Sequence, residues 1–180
     1  LARGDDSAEP EKPPLVIVLM GVSGCGKSTL GAELSRALGW PFRDADSFHP
    51  AANIAKMSRG TPLTDADRRP WLDAIAQWID DRLARGEPGI VSCSALKRAY
   101  RERIVGARPR VALVYLEGAM GLIAGRLARR ADHFMPPALL ASQLEALEPP
   151  RPEEQPVVVS IAETPTRIAA QIIAELALLE

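Results

Sequence analysis

Apolar residues fall into two patterns along this chain. Short unbroken runs stand at residues 15–20, 90–93, 111–116 and 157–161. Runs this short, rich in β-branched residues and lacking polar alternation, predict strands covered on both faces. A weaker run at residues 40–46 carries Trp40 and Phe42 and closes on Asp44 and Asp46, a short second strand ending on two acids. Between the runs, apolar residues recur three or four apart. Leu30, Leu34 and Leu38 form one such stripe, and Leu72, Ile75, Ile79 and Leu83 a second, widened by Trp71 and Trp78. Leu139, Leu140, Leu144 and Leu147 form a third, and Ile168, Ile172, Ile173 and Leu176 a fourth. Each predicts a helix with one buried face. Gly39 is placed to cap the first helix, and a further helix is expected just after Pro50, broken at residues 58–62. Thr64 or Asp65 can cap the next, where Pro70 is tolerable only within the first turn.

Strands alternating with helices imply parallel pairing through right-handed crossovers. The expected architecture is a three-layer α/β/α domain of the P-loop type over residues 15–180, with a five-stranded parallel sheet and ligands at the strands' carboxyl ends. Residues 1–14 show no periodicity and are expected to be a disordered leader. Residues 130–137 break the helical period, are rich in charge and proline, and read as a mobile lid.

Composition narrows the function. Over 180 residues, 47% are hydrophobic and 25% charged, with a net charge of −1. No basic excess argues for nucleic acid or an acidic membrane surface, and no apolar run nears the roughly 20 residues that span a bilayer. Cys25 and Cys93 have neither zinc spacing nor a disulfide framework, so a cytoplasmic location is expected. The two histidines, His49 and His133, lack a helical partner, which speaks against a zinc site.

Chemistry concentrates after the first run. Gly21-Val22-Ser23-Gly24-Cys25-Gly26-Lys27-Ser28-Thr29 reads G-x-x-x-x-G-K-S between a predicted strand and a predicted helix. In that context the glycines turn backbone N–H groups toward a phosphate and the helix N-terminus adds positive potential. Lys27 is placed to reach the β- and γ-phosphates of ATP, and Ser28 to ligate Mg²⁺. A guanine switch needs an N-K-x-D motif, yet the only Asn is Asn53, followed by Ile54. A motor ATPase would end a strand on an acid, whereas the third strand ends Ser92-Cys93-Ser94. The candidate acids are therefore Asp44 and Asp46, which alternation along a strand would aim into one cleft. Trp71 and Trp78 are expected to be core residues, and Cys25 and Cys93 are expected to approach each other at neighbouring strand ends.

With the loop, four further strings carry a resemblance. They are Asp44-Ala45-Asp46-Ser47-Phe48-His49-Pro50 with Asn53-Ile54-Ala55-Lys56-Met57, then Gly60-Thr61-Pro62-Leu63-Thr64-Asp65-Ala66-Asp67-Arg68-Arg69-Pro70-Trp71-Leu72. Ser92-Cys93-Ser94-Ala95-Leu96-Lys97-Arg98-Ala99-Tyr100-Arg101 and the Arg126 to Phe134 stretch complete them. In these the chain resembles the gluconokinases of the shikimate-kinase-like branch. Cys25 stands where many relatives carry Ser, and the acidic Asp132 is unusual in the lid. The resemblance implies transfer of the ATP γ-phosphoryl to the terminal hydroxyl of D-gluconate. It implies Lys27, Asp44, Asp46 and Arg130 as catalytic residues, Mg²⁺ on Ser28 and Asp44, and Asp46 at the acceptor hydroxyl, and leaves open which of the two acids is the base. Residues 21–29, Arg126 and Arg130 would hold ATP. Asp46, His49, Arg68, Lys97 and Arg101 would hold gluconate, an Arg fork suiting its carboxylate. A homodimer is also implied. The alternatives are a kinase of a related hydroxy-acid such as shikimate, and an ATP-sensing module without turnover.

Overall fold

The computed structural model describes residues 13–129 and 137–178. Five strands, β1 (Val16–Met20), β2 (Phe42–Asp44), β3 (Gly89–Ser92), β4 (Val111–Glu117) and β5 (Val157–Ser160), form one sheet in the order β2-β3-β1-β4-β5. Every adjacent pair is parallel. Seven α-helices complete the described fold: α1 (Lys27–Leu38), α2 (Ala51–Ser58), α3 (Asp65–Arg85), α4 (Arg98–Ile104), α5 (Met120–Ala128), α6 (Pro137–Ala146) and α7 (Pro165–Glu175).

The central strand explains why its sequence is uniformly apolar. Ile17 and Leu19 point into a core shared with Leu30 and Leu34 of α1 and with Ile168 and Ile172 of α7. Val16, Val18 and Met20 point the other way, against Trp71, Leu72, Ile75 and Ile79 of α3 and Ile104 of α4. Both faces of the sheet are covered, so alternation has nothing to record. The layers are α/β/α, as the element order implies.

Two local expectations need correction. Pro70 lies in the second turn of α3, not the first, because Thr64 caps the helix in a reciprocal box with Asp67 and fixes its start at Asp65. The missing N–H at Pro70 costs ~3 kcal/mol in a helix interior. Burial of Trp71, Leu72 and Ile75 immediately after it outweighs that, at roughly 1.5–3 kcal/mol per large apolar side chain. The second strand is also shorter than its pattern suggested. It ends at Asp44, whose Oδ1 accepts the backbone N–H of Asp46 at 2.9 Å. That bond turns residues 45–48 into a 3₁₀ turn, a local alternative to continuing the ladder.

Cys25 and Cys93 are buried free thiols in the two opposite cores. Burial drives the Cys93 thiol up to about 12. The expected leader and lid fall almost wholly outside the described residues.

Candidate active site

At the carboxyl end of β1 the chain enters the glycine loop. Gly24 and Gly26 adopt positive φ of 82° and 99°, conformations that L side chains rarely take. A Cβ on Gly24 would also lie 2.6 Å from Leu127 Cγ. Gly26 caps α1 with no side-chain bond to the helix start, so the first-turn amides of α1 and the helix dipole are free to meet an anion. Lys27 arches back over the loop, its Nζ donating to the carbonyls of Gly21 at 2.9 Å and Val22 at 3.1 Å. The side chains of Val22 and Cys25 are buried in the core, leaving only their backbone for a ligand. Thr29 is exposed and lines neither cavity described below.

Beside the loop, Ser28 Oγ donates to Asp44 Oδ2 at 3.0 Å. A hydroxyl and a carboxylate so joined form a hard-oxygen pair that suits Mg²⁺, which keeps several waters and takes one or two protein ligands alongside phosphate. Among the described residues, no group of three His, Cys, Asp or Glu side chains stands close enough to cage a metal. A cation here would therefore depend on the phosphates as well.

Two adjoining cavities meet at this point. The first, of about 280 Å³, lies over the loop and reaches Lys27, Ser28, Asp44 and Asp46. The second, of about 740 Å³, reaches His49, Arg68, Lys97 and Tyr100. Ser23, Asp46, Trp71 and Ser94 line both. Asp46 thus sits at the junction, carried there by the 3₁₀ turn and not by strand alternation. Desolvation at the junction, then repulsion from Asp44, raises its carboxyl above the ordinary range, while His49 and Lys27 pull the other way.

His49 stacks flat on Trp71, ring centroids 4.5 Å apart. Its Nδ1 lies 3.3 Å from Asn53 Nδ2, a donor, which leaves the imidazole proton on Nε2. Desolvation lowers its pKa, Asp46 opposes this, and Arg68 reinforces it. Trp71 is core, as expected, and also a wall: its indole donates to the Ala45 carbonyl at 2.7 Å and holds the acid-bearing turn.

Arg68 and Lys97 both reach the second cavity, but neither is unpartnered. Arg68 Nη1 donates to the Leu63 carbonyl at 2.8 Å and lies 3.9 Å from Asp65. Lys97 Nζ donates to both Asp65 oxygens, at 3.1 and 3.2 Å, and the Tyr100 hydroxyl also donates to Asp65. One carboxylate therefore stands among the cations expected for the acceptor's own.

Arg101 corrects the sequence reading. Its side chain is 2% exposed and clamps Glu154, Nε to Oε1 at 2.7 Å and Nη2 to Oε2 at 3.1 Å. Nη1 spends its protons on the carbonyls of Ala95 and Leu96. It lines neither cavity; it shapes the β3–α4 turn that carries Lys97. Arg126 does reach the loop, donating to the Cys25 carbonyl at 3.4 Å and to the Ile161 carbonyl at the end of β5. Arg130 lies outside the described residues. Sequence reasoning passed over Asp65, Tyr100 and Gln143. The first two stand inside the strings quoted above, while Gln143 had only its place on a helix.

The sequence matches the family model of the AAA domain over residues 16–150. A gluconokinase of Gluconobacter oxydans (strain 621H) is 44% identical over 160 residues, covering 89% of this chain and 90% of that protein. The chain belongs to the gluconokinase family. A crystal structure of a gluconokinase from Sinorhizobium meliloti 1021 matches with a TM-score of 0.78 at 48% identity, over 91% of this chain and 92% of that one. An unliganded sugar kinase from Janibacter sp. HTCC2649 matches at 0.83 and 42% identity, over 92% and 96%. A shikimate kinase from Aquifex aeolicus vf5, at 19% identity and 0.54 over 90% and 96%, shares the fold alone. Against these two gluconokinases, the match covers about nine tenths of each chain.

Proposed function

We propose that this gluconokinase-family chain transfers the γ-phosphoryl of ATP to the terminal hydroxyl of D-gluconate, giving 6-phosphogluconate and ADP. The observation that carries the reading is the junction: a cation-lined cavity opens beside the phosphate loop, and Asp46 lines both. Phosphoryl transfer asks a protein mainly for alignment and charge neutralisation. The loop amides and Lys27 hold the phosphates. Ser28 and Asp44 would hold Mg²⁺, which when bound neutralises charge building on the phosphate oxygens. Asp46 orients the acceptor hydroxyl and accepts its proton as the new O–P bond forms and the β–γ bridge breaks. Desolvation raises this carboxyl from its ordinary value, which makes it the stronger base for that proton. Arg68 and Lys97, with Asp65 and Tyr100 around them, meet the gluconate carboxylate, and His49 shapes the wall between. Arg126 steadies the loop from the β5 side. Arg130 is assigned to the transferring phosphate on family resemblance alone.

The homodimer is likewise taken from the resemblance and the cytoplasmic location from the cysteine pattern, and light scattering of the purified protein checks its assembly. Among the described residues no helix is long and apolar enough to cross a membrane. The deciding experiment measures ADP release with gluconate, other sugar acids and shikimate as acceptors. Rapid release with gluconate is expected. Release with shikimate and not gluconate would transfer the reading to a related hydroxy-acid kinase. Tight ATP binding with no release for any acceptor would make the chain a sensing module.

A further inference from the structure

One contact at the junction has no part in the chemistry above. The backbone N–H of Ser23 donates to Gln143 Oε1 at 2.7 Å, and Gln143 Nε2 donates to Ser23 Oγ at 2.9 Å. A single planar amide on α6 takes both polar groups of a residue in the middle of the phosphate loop, across 120 positions of sequence. The face is fixed by its neighbours, since Leu140 is buried in the α1–α7 core and Leu144 packs against it. Gln143 also lines the acceptor cavity, beside Ser142 and Ala146 of the same helix. Ser23 lines both cavities.

We infer that Gln143 is a positioning residue that locks the phosphate loop to the wall of the acceptor cavity. The inference rests on the gluconokinase reading for its kinetic consequence, though not for its geometry. A glycine-rich loop has few side chains with which to hold its own shape, and its backbone can swing by the ångström that separates productive from idle alignment. Gln143 removes that freedom at Ser23. Because the same helix forms one wall of the acceptor cavity, the acceptor and the loop are positioned by one rigid element. An amide suits the task because it donates and accepts at once and stays neutral. A carboxylate would bring negative charge beside the phosphates.

Gln143→Leu keeps the side chain's bulk and loses both bonds. It is expected to lower kcat on the order of tenfold, the worth of one to two net hydrogen bonds, with KM for ATP within about twofold. Ser23→Ala removes only the hydroxyl bond. Because Gln143 acts through Ser23, Ser23→Ala should lower kcat by a smaller factor in the Gln143→Leu background than in wild type. A Gln143→Leu kcat within about twofold of wild type, or losses that multiply in the double variant, would overturn the proposal.

Gln143→Glu guards against misfolding of the leucine variant. Its kcat relative to wild type should climb as pH falls and the new carboxyl becomes neutral; a flat ratio counts against the proposal. Amide exchange in the ligand-free protein separates this inference from the substrate assignment. The Ser23 amide should exchange faster in Gln143→Leu whatever the acceptor proves to be, and unchanged exchange would sink the lock. Absence of gluconate turnover in wild type would instead defeat only the gluconokinase reading.

Discussion

Replacing Arg101 by Met separates two roles that the sequence could not distinguish. The guanidinium is 2% exposed and its partner Glu154 13% exposed, so the charges meet out of water. Four hydrogen bonds end on this one group, two to Glu154 and one each to Ala95 and Leu96. Methionine fills much of the volume but takes the guanidinium from a covered carboxylate and from the Ala95 carbonyl, while Glu154 keeps the Arg151 N–H and the Leu96 carbonyl the Glu148 N–H. Breaking one partner of a buried pair costs ~3–5 kcal/mol. At about 2–4 °C per kcal/mol for a chain of this size, the melting midpoint should fall by roughly 10 °C. Adding Glu154→Gln removes the stranded charge and should restore part of the loss.

The pH dependence carries a sign. Arg101 is the first cause holding the Glu154 carboxyl below its ordinary 4.5, against desolvation that raises it. The stabilisation is therefore present in full above 4.5 and lost as pH falls through the lowered value. The gap between wild type and Arg101→Met should narrow on acidification. Thermal and urea melts from neutral to acidic pH, with gluconate kinetics alongside, provide the measurements. A variant that melts within about 2 °C of wild type but shows a large rise in KM for gluconate would refute the reasoning. It would return Arg101 to the acceptor.

Four other outcomes follow. Asp46→Asn should cut kcat by about 10²-fold or more with little change in ATP affinity. In wild type, the acid limb of kcat/KM should lie above the ordinary carboxylate range because desolvation and Asp44 raise the Asp46 carboxyl, and rate should fall as pH drops through it. Gly24→Ala places a methyl 2.6 Å from Leu127 at positive φ, so ATP affinity measured by calorimetry should fall by tenfold or more, on the order of 1.4 kcal/mol. Lys56→Met should remove the largest part of an acid-sensitive contribution to stability, leaving the part that Thr64 supplies. Lys56 and the Thr64 backbone and hydroxyl lower Asp67 from 3.8 to about 2, and that contribution is present above 3.8 and lost as pH falls through about 2.

The sheet was legible because burial on both faces leaves an unmistakable mark. In β1 every residue points into one core or the other, so the run reads as a strand without ambiguity. The phosphate loop was legible because its function lies in the backbone, and glycine spacing encodes backbone directly. The second strand misled because Ala45 and Asp46 look like its continuation until the Asp44 side chain captures the Asp46 amide. Periodicity has no term for that competition. The conclusion survived, since the 3₁₀ turn still delivers Asp46 to the cavity junction. Arg101 could not be placed because its partner lies 53 residues downstream, and charge with helical offset says nothing about which acid will return to it. Gln143 is hidden for the same reason, its partner being 120 residues away.

Trp71 gives the molecule an optical voice. The chain holds three tryptophans, and among the described residues Trp71 is the one that lines the cavities, stacked on His49 and bonded to Ala45. Trp40 packs on the α1–α7 side, and Trp78 lies against Phe48 and Gly89. Indole emission responds to local polarity and to a neighbouring imidazolium. Filling of either cavity should therefore shift the emission of this one indole against the steady background of the other two, and protonation of His49 should quench it from the acceptor side.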